Sequence, residues 1–229
     1  MEQTVICRNV SKVYRQNAIA VHALTHLNLE IPKKDFICLS GPSGSGKTTL
    51  LNLIGGLDKP TSGEITMDGR RIDIMGKGEL AELRLRRIGF VFQAYNLIPV
   101  LTARENVEFV MQLQGMPSAE REQKARDILK EVELDGLEDR RPGELSGGQQ
   151  QRVAVARAIV SEPSLVLADE PTANLDSKTG ENLMQLLRHM NEEHGLTFIF
   201  STHDKLVMDF SRRLITLRDG RIVNDMRRE

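Results

Sequence analysis

Apolar residues alternate with polar ones near both ends of the first thirty positions, as Val5, Cys7 and Val10 and again as Leu27, Leu29 and Ile31. A period of two belongs to a half-buried strand, and two such segments in succession predict an antiparallel pair. Phe36-Ile37-Cys38-Leu39, Leu165-Val166-Leu167-Ala168 and Thr197-Phe198-Ile199-Phe200-Ser201 are continuous apolar runs, which read as buried strands. Three shorter strand signals join them. Glu64-Ile65-Thr66-Met67 ends in the turn Asp68-Gly69, Ile88-Gly89-Phe90-Val91-Phe92 ends at Gln93, and residues 214–223 form a hairpin around Asp219-Gly220.

Elsewhere the period lengthens to that of a helix. Residues 48–57 and 153–159 are apolar enough to be buried helices, and residues 79–87 read as a polar one. Ala125, Ile128, Leu129 and Val132 fall on one face of a helix that Ser118 is placed to cap. Leu183, Leu186, Leu187 and Met190 share the face of another, with Gly195 as its stop. Strands lead up to Gln93, helices fill the segment from Ala94 to about Ser161, and the two alternate afterwards. The expectation is an α/β fold in one domain over residues 1–229, with a core and an antiparallel β subdomain in residues 1–93 and 162–229 and a helical insertion at 94–161.

Composition narrows the functional classes. The chain has 229 residues, room for one domain with a good core. Lys and Arg number 31 against 32 Asp and Glu, a net charge of -1, so no nucleic-acid partner is expected, and short basic clusters such as Arg84-Leu85-Arg86-Arg87 read as solvated faces. Cys7 and Cys38 are isolated in strand-like segments and make neither a metal pattern nor a disulfide framework. Met1-Glu2-Gln3-Thr4 shows no signal-peptide pattern, and no apolar run approaches the ~20 residues that span a bilayer. The expected location is the cytosol, with any membrane role exerted through a partner.

Gly41-Pro42-Ser43-Gly44-Ser45-Gly46-Lys47-Thr48-Thr49 carries the chemistry. It matches G-x-x-x-x-G-K-[ST] between a strand and a helix, the setting of a phosphate-binding loop. Its glycines let backbone N–H groups close around phosphate oxygens, and the following helix adds its positive end. Lys47 can reach the β- and γ-phosphates of a nucleoside triphosphate, and the Thr48 hydroxyl can ligate Mg²⁺. Asp169 and Glu170 end a buried strand, where two charges are costly unless used. With this loop upstream, Asp169 is assigned toward Mg²⁺ and Glu170 to polarising the attacking water, and a glutamate there argues for a competent hydrolase.

Other candidates stay open on residue type alone. Ser146, Gly147 and Gly148 are either a plain helix cap or a second anion site. Tyr14, placed in the turn between the first two strands, is either a strand-end aromatic or a surface on which a base stacks. Gln93 is a polar strand end, and His203 follows a strand at the same sheet edge as the phosphate loop, where open α/β sheets bind ligands.

Taken together these segments resemble the ATP-binding cassette ATPases over essentially the whole chain. The discriminating match is Leu145-Ser146-Gly147-Gly148-Gln149, which looks like that family's signature sequence. The resemblance implies a RecA-like phosphate-loop core that binds ATP and Mg²⁺. It makes Tyr14 the adenine-stacking residue, residues 41–49 the Walker A loop, Gln93 the Q-loop glutamine and a Mg²⁺ contact, Asp169 and Glu170 the Walker B pair, Asp176 part of the D-loop and His203 the switch histidine. It also implies a head-to-tail pair of copies in which Ser146, Gly147, Gly148 and Gln149 of one complete the site of the other. Gly55-Gly56-Leu57-Asp58, Pro60-Thr61-Ser62-Gly63-Glu64 and Asn96-Leu97-Ile98-Pro99 are similar to the lipoprotein-release and macrolide-export cassettes. The implied partner is a permease with few membrane helices and a large extracytoplasmic domain, with the cassette peripheral on the cytoplasmic face. A soluble cassette regulating a nucleic-acid or ribosomal partner and the motor of an uptake importer are the alternatives. Ala173-Asn174 departs from the family's usual residues before Leu175.

Overall fold

The computed structural model describes residues 2–16 and 19–228. The early alternation produces two long strands, β1 (Gln3–Gln16) and β2 (Ile19–Pro32), paired antiparallel with Val5 opposite Ile31 and Cys7 opposite Leu29. Tyr14 lies inside β1, opposite Val21, and not in a turn. The apolar pattern fades after Val10, yet backbone pairing needs no apolar side chains, and bulges between Cys7 and Lys12 shift the phase that the sequence pattern relies on. β4 (Ser62–Met67) pairs with the other edge of β1, and β5 (Arg70–Arg71) completes a four-stranded antiparallel sheet in the order β2-β1-β4-β5.

The continuous apolar runs form the second sheet. β3 (Phe36–Ser40), β6 (Ile88–Phe92), β7 (Leu165–Asp169), β8 (Thr197–Ser201), β9 (Arg213–Arg218) and β10 (Arg221–Arg227) take the order β10-β9-β3-β8-β7-β6. All pairs are parallel except β9 with β10. Alternate side chains of its inner strands go to opposite faces. Ile37, Leu39, Leu165, Leu167 and Ile199 join Val5, Cys7 and Ile65 of the antiparallel sheet, while Phe36, Cys38, Val166, Ala168, Phe198 and Phe200 face the helical side. Burial on both faces is why these strands show no alternation. Both cysteines sit in these layers, and burial pushes each thiol up to about 12.

α1 (Lys47–Ile54) buries Leu50, Leu53 and Ile54 in the layer beneath the antiparallel sheet, and α2 (Lys77–Arg87) lays Leu80 and Leu83 on the same layer. Between β6 and β7 the described chain is helical: α3 (Ala103–Leu113), α4 (Ser118–Glu131), a 3₁₀ turn (Pro142–Glu144) and α5 (Gly147–Ile159). Ser118 is the first helical residue of α4 and makes no side-chain cap, because Pro117, extended at φ -58 and ψ 146, takes the cap position. α5 touches β6 closely: a Cβ on Gly89 would stand 2.2 Å from the Ala158 carbonyl oxygen. α6 (Ser177–His194) ends at Gly195, left-handed at φ 62, and buries Leu183, Leu186, Leu187 and Met190 as its periodicity requires. A short α7 (Lys205–Phe210) precedes β9.

Candidate active site

The carboxyl ends of β3, β6, β7 and β8 lie side by side, so the phosphate loop, Gln93, Asp169-Glu170 and Thr202-His203 are delivered to one sheet edge. Residues 42–49, Gln93, Glu170 and His203 line a cleft of about 790 Å³ together with Tyr14 and Ala173, with Val21, His22 and Ala23 on the β2 side; Gly41, Asp169 and Thr202 lie behind this lining.

Backbone conformation shapes the loop. Gly41 has φ 142 and its missing Cβ would stand 2.2 Å from the Leu217 carbonyl oxygen; Gly46 has φ 101 and would meet the Ala23 carbonyl oxygen at 2.6 Å. Only glycine fits either place. Gly46 is also the N-cap of α1 and supplies no side-chain acceptor, which leaves the first-turn N–H groups pointing into the loop without a side-chain partner. Ser45 Oγ is buried with no hydrogen-bond partner. A cradle of glycines, uncapped helix N–H groups and an orphaned buried hydroxyl fit the oxygens of a polyphosphate. Lys47 is buried and donates from Nζ to the carbonyls of Gly41 at 2.7 Å and Pro42 at 3.1 Å, which holds its ammonium over the loop.

Opposite the loop, the Thr48 hydroxyl faces Asp169 Oδ1 and Oδ2 at 3.5 and 3.4 Å, long for a direct hydrogen bond. A hydroxyl and a carboxylate set apart in this way match the hard-oxygen ligands that Mg²⁺ takes. Burial raises the Asp169 pKa above the usual carboxylate range, helped by the neighbouring Glu170 charge and opposed by Thr48 and Lys47.

Glu170 is held through its backbone and through both carboxylate oxygens. Its backbone is left-handed at φ 47, and its N–H donates to the Ser201 carbonyl at 2.8 Å. The Thr202 hydroxyl donates to Oε2 at 2.6 Å, and His203 Nδ1 lies 2.7 Å from Oε1. A non-glycine residue in that region costs on the order of 1–3 kcal/mol, a cost the surrounding bonds must offset. His203 is largely exposed, whereas the Glu170 side chain is mostly buried. Thr202 carries no motif of its own; its one signal in the sequence is a hydroxyl between a buried strand and His203. Asp204 continues the chain of contacts by accepting from the Thr172 hydroxyl at 2.7 Å.

At the cleft's rim, Tyr14 is 36% exposed and donates its hydroxyl to Asp58 Oδ2 at 2.9 Å. Lys12 Nζ lies 4.8 Å from the centre of its ring and 2.7 Å from Asp58 Oδ1, which fixes the ring's orientation. Gln93 reaches the cleft, and its carbonyl accepts from the Asn174 side-chain amide at 2.8 Å.

Ser146, Gly147, Gly148, Gln149 and Asp176 do not line this cleft. Ser146 caps α5 in a reciprocal box: its N–H donates to Gln149 Oε1 at 2.8 Å, and its Oγ accepts from the Gln149 N–H at 3.3 Å. Asp176 caps α6 and accepts from the Lys178 N–H, the Thr179 N–H and the Thr179 hydroxyl. That hydroxyl, first, and then the two amides hold the Asp176 carboxyl below its usual range.

Comparison with known proteins places this geometry. A family profile described as "ABC transporter" matches residues 24–173. An uncharacterized ABC transporter ATP-binding protein of Methanocaldococcus jannaschii, MJ0796, is 48% identical over 219 residues, covering 94% of this chain and 93% of its own. The macrolide export ATP-binding/permease protein MacB of Mannheimia succiniciproducens is 43% identical over 218 residues, and the matched part is 34% of its length. Among solved structures, the dimeric post-hydrolysis state of the MJ0796 cassette bound to ADP and Pi superimposes with a TM-score of 0.89 at 46% identity, covering 97% of this chain and 98% of that one. The cbiO1 subunit from Clostridium perfringens, part of the cbiONQ transporter complex, gives 0.89 at 30% identity.

Proposed function

The chain belongs to the ABC transporter family as one of its ATP-hydrolysing cassettes, and on that premise we propose that two copies close head to tail around two ATP molecules and drive a separate membrane permease. The observation that carries this reading is the division of labour within one chain. The cleft holds the phosphate loop, Gln93, Glu170 and His203, while Ser146, Gly147 and Gly148 lie outside it at a helix N-terminus. A two-fold pairing supplies each cleft with the other copy's helix end and closes on itself. The dimeric form of the MJ0796 cassette supports it.

In the closed pair, Lys47 and the α1 N–H groups hold the β- and γ-phosphates, and Thr48, Asp169 and Gln93 are the residues that would hold Mg²⁺, which would supply positive charge to offset that of the phosphates. Tyr14 carries the adenine. Glu170, fixed by Thr202 and His203, accepts the proton of the water that attacks the γ-phosphorus. Ser146, Gly147 and Gly148 of the other copy donate to the γ-phosphate until cleavage removes it.

The helical segment at 94–161 acts as the transmitting part. A groove of about 390 Å³ between α2, β6 and α5, lined by Leu57, Phe90, Phe92, Val110 and Arg157, lies beside Gln93 and touches both the sheet edge and the helical segment. A permease element seated there would follow any shift of one against the other. Among the described residues no helix is long and apolar enough to cross a membrane, so membrane attachment falls to the partner. Relatives named as macrolide export ATP-binding/permease proteins support a partner of the export type; a lipoprotein-release role and a permease with few membrane helices rest on the sequence resemblance alone.

Glu170→Gln tests the reading. The variant should bind ATP, form a stable dimer by light scattering, and lose turnover by roughly 100-fold or more, the scale of a general base. Retained turnover would remove Glu170 from its role. Copurification of wild-type protein with a permease from membranes tests the partner; ribosomes or DNA in its place would favour a soluble regulator.

A further inference from the structure

Three contacts outside the cleft join the Gln93 loop to the face that carries Ser146, Gly147 and Gly148. The Asn174 amide donates to the Gln93 carbonyl at 2.8 Å. Arg157, on α5, donates to the carbonyls of Asn96 at 2.6 Å and Tyr95 at 2.9 Å. The Tyr95 hydroxyl lies 3.0 Å from where a Cβ on Gly147 would stand, and the Asn174 carbonyl oxygen 3.9 Å from the same point.

The arrangement is costly enough to need a reason. Tyr95 and Asn96 are both left-handed, at φ 56 and 50. Arg157 is largely withdrawn from water, burial lowers its pKa, and its partners are carbonyls and not a carboxylate. Burying a guanidinium and holding two adjacent non-glycine residues in that region are each unfavourable alone. What they achieve together is a fixed path from Gln93 to the start of α5.

We propose that Asn174 is a positioning residue that, through Gln93, Tyr95 and Arg157, ties a chain's own nucleotide cleft to the helix end it presents to a second copy. The inference rests on the head-to-tail pairing proposed above. Asn174 is exposed in the single chain, where water competes for its hydrogen bond. A second copy laid over residues 146–148 excludes that water, and the bond strengthens in the drier interface. Cutting it should therefore leave the isolated chain almost untouched and weaken the pair.

The test is ATP titration in a Glu170→Gln background, with dimer followed by light scattering. Asn174→Ala removes the amide, and Asn174→Asp keeps its shape but has no N–H to donate. Both should raise the ATP concentration for half-maximal dimerisation about tenfold, the scale of one hydrogen bond. Fluorescent-ATP affinity of the dilute single chain should stay within about twofold, since Asn174 does not line the cleft, and the melting temperature should be unchanged. Unaltered dimerisation in both variants would overturn the inference. A loss in Asn174→Asp alone would show a charge effect, and a parallel fall in single-chain affinity and melting temperature would show a merely structural role; either would overturn it too. Failure of the Asn174-containing protein to dimerise at all would sink the pairing itself, and the inference with it.

Discussion

Thr202 holds Glu170 from one side: its buried hydroxyl donates to Oε2 at 2.6 Å while its oxygen accepts the Asp204 N–H at 3.0 Å. The second bond orients the first, so the carboxylate's direction is set by a buried group that does not line the cleft. Thr202→Val keeps the shape and removes the donor. It should lower kcat about tenfold, one hydrogen bond's worth, and leave ATP affinity unchanged. Thr202→Ser should restore most of the loss. Steady-state kinetics of the two variants decide it; equal loss in both would mean that the methyl group matters and the hydroxyl does not.

Lys47 donates to two carbonyls of its own loop, at 2.7 and 3.1 Å, so its ammonium already sits where the loop closes. Lys47→Ala removes a charge-assisted contact worth about 1.5–3 kcal/mol, a factor of roughly 10–150 in affinity. Fluorescent nucleotide titration should show that weakening for triphosphate. Unchanged affinity would mean that the loop binds through its backbone N–H groups alone.

Much of this was legible in the sequence because the signals are local. The glycines of the loop, the continuous strands and the 3.6-residue faces of α4 and α6 each lie within a dozen residues. Ser146 shows where such reading stops. Residue type leaves it either a plain cap or an anion site, and the reciprocal box with Gln149, like its place outside its own chain's cleft, is visible only in the fold. Tyr14 falls inside β1 and not in a turn because β1 continues through polar residues by backbone pairing to β2. Ser118 is the first residue of α4 and not its cap because Pro117 takes the cap position. Thr202 and Asn174 were invisible as functional candidates, since their partners, Glu170 and Gln93, lie 32 and 81 residues away.

Asp73 gives the fold a pH dependence whose sign is fixed. Arg71 donates to its carboxylate at 2.8 and 2.6 Å and holds its pKa below the usual value, with help from the Ile65 N–H and against burial. A depressed carboxyl contributes stability that is present above its unfolded pKa, about 3.9, and is lost as pH falls through the folded value. Urea unfolding of Asp73→Asn should therefore show a variant less stable than wild type at pH 7. The difference should shrink on acidification below about pH 4. A difference that stayed constant across that range would assign the effect to neutral hydrogen bonding.

Gly89→Ala should separate binding from turnover. Gly89 lies on β6, four residues before Gln93, and a methyl there would meet the Ala158 carbonyl oxygen of α5 at 2.2 Å. Backbone cannot step aside as a side chain can, so Gly89→Ala must push β6 and α5 apart. Overpacking of this kind costs about 1–3 kcal/mol, or roughly 2–12 °C of melting temperature at this chain length. The displaced elements carry Gln93 and residues 146–149, whereas the phosphate loop hangs between β3 and α1, three strands away in the sheet. ATP affinity of the single chain should thus survive while ATP-driven dimerisation and hydrolysis fall. Calorimetric melting, nucleotide titration and turnover on the same preparation check the split. A variant that lost affinity in step with turnover would show that the loop depends on the β6–α5 contact, and that the sheet does not insulate the two halves of the site.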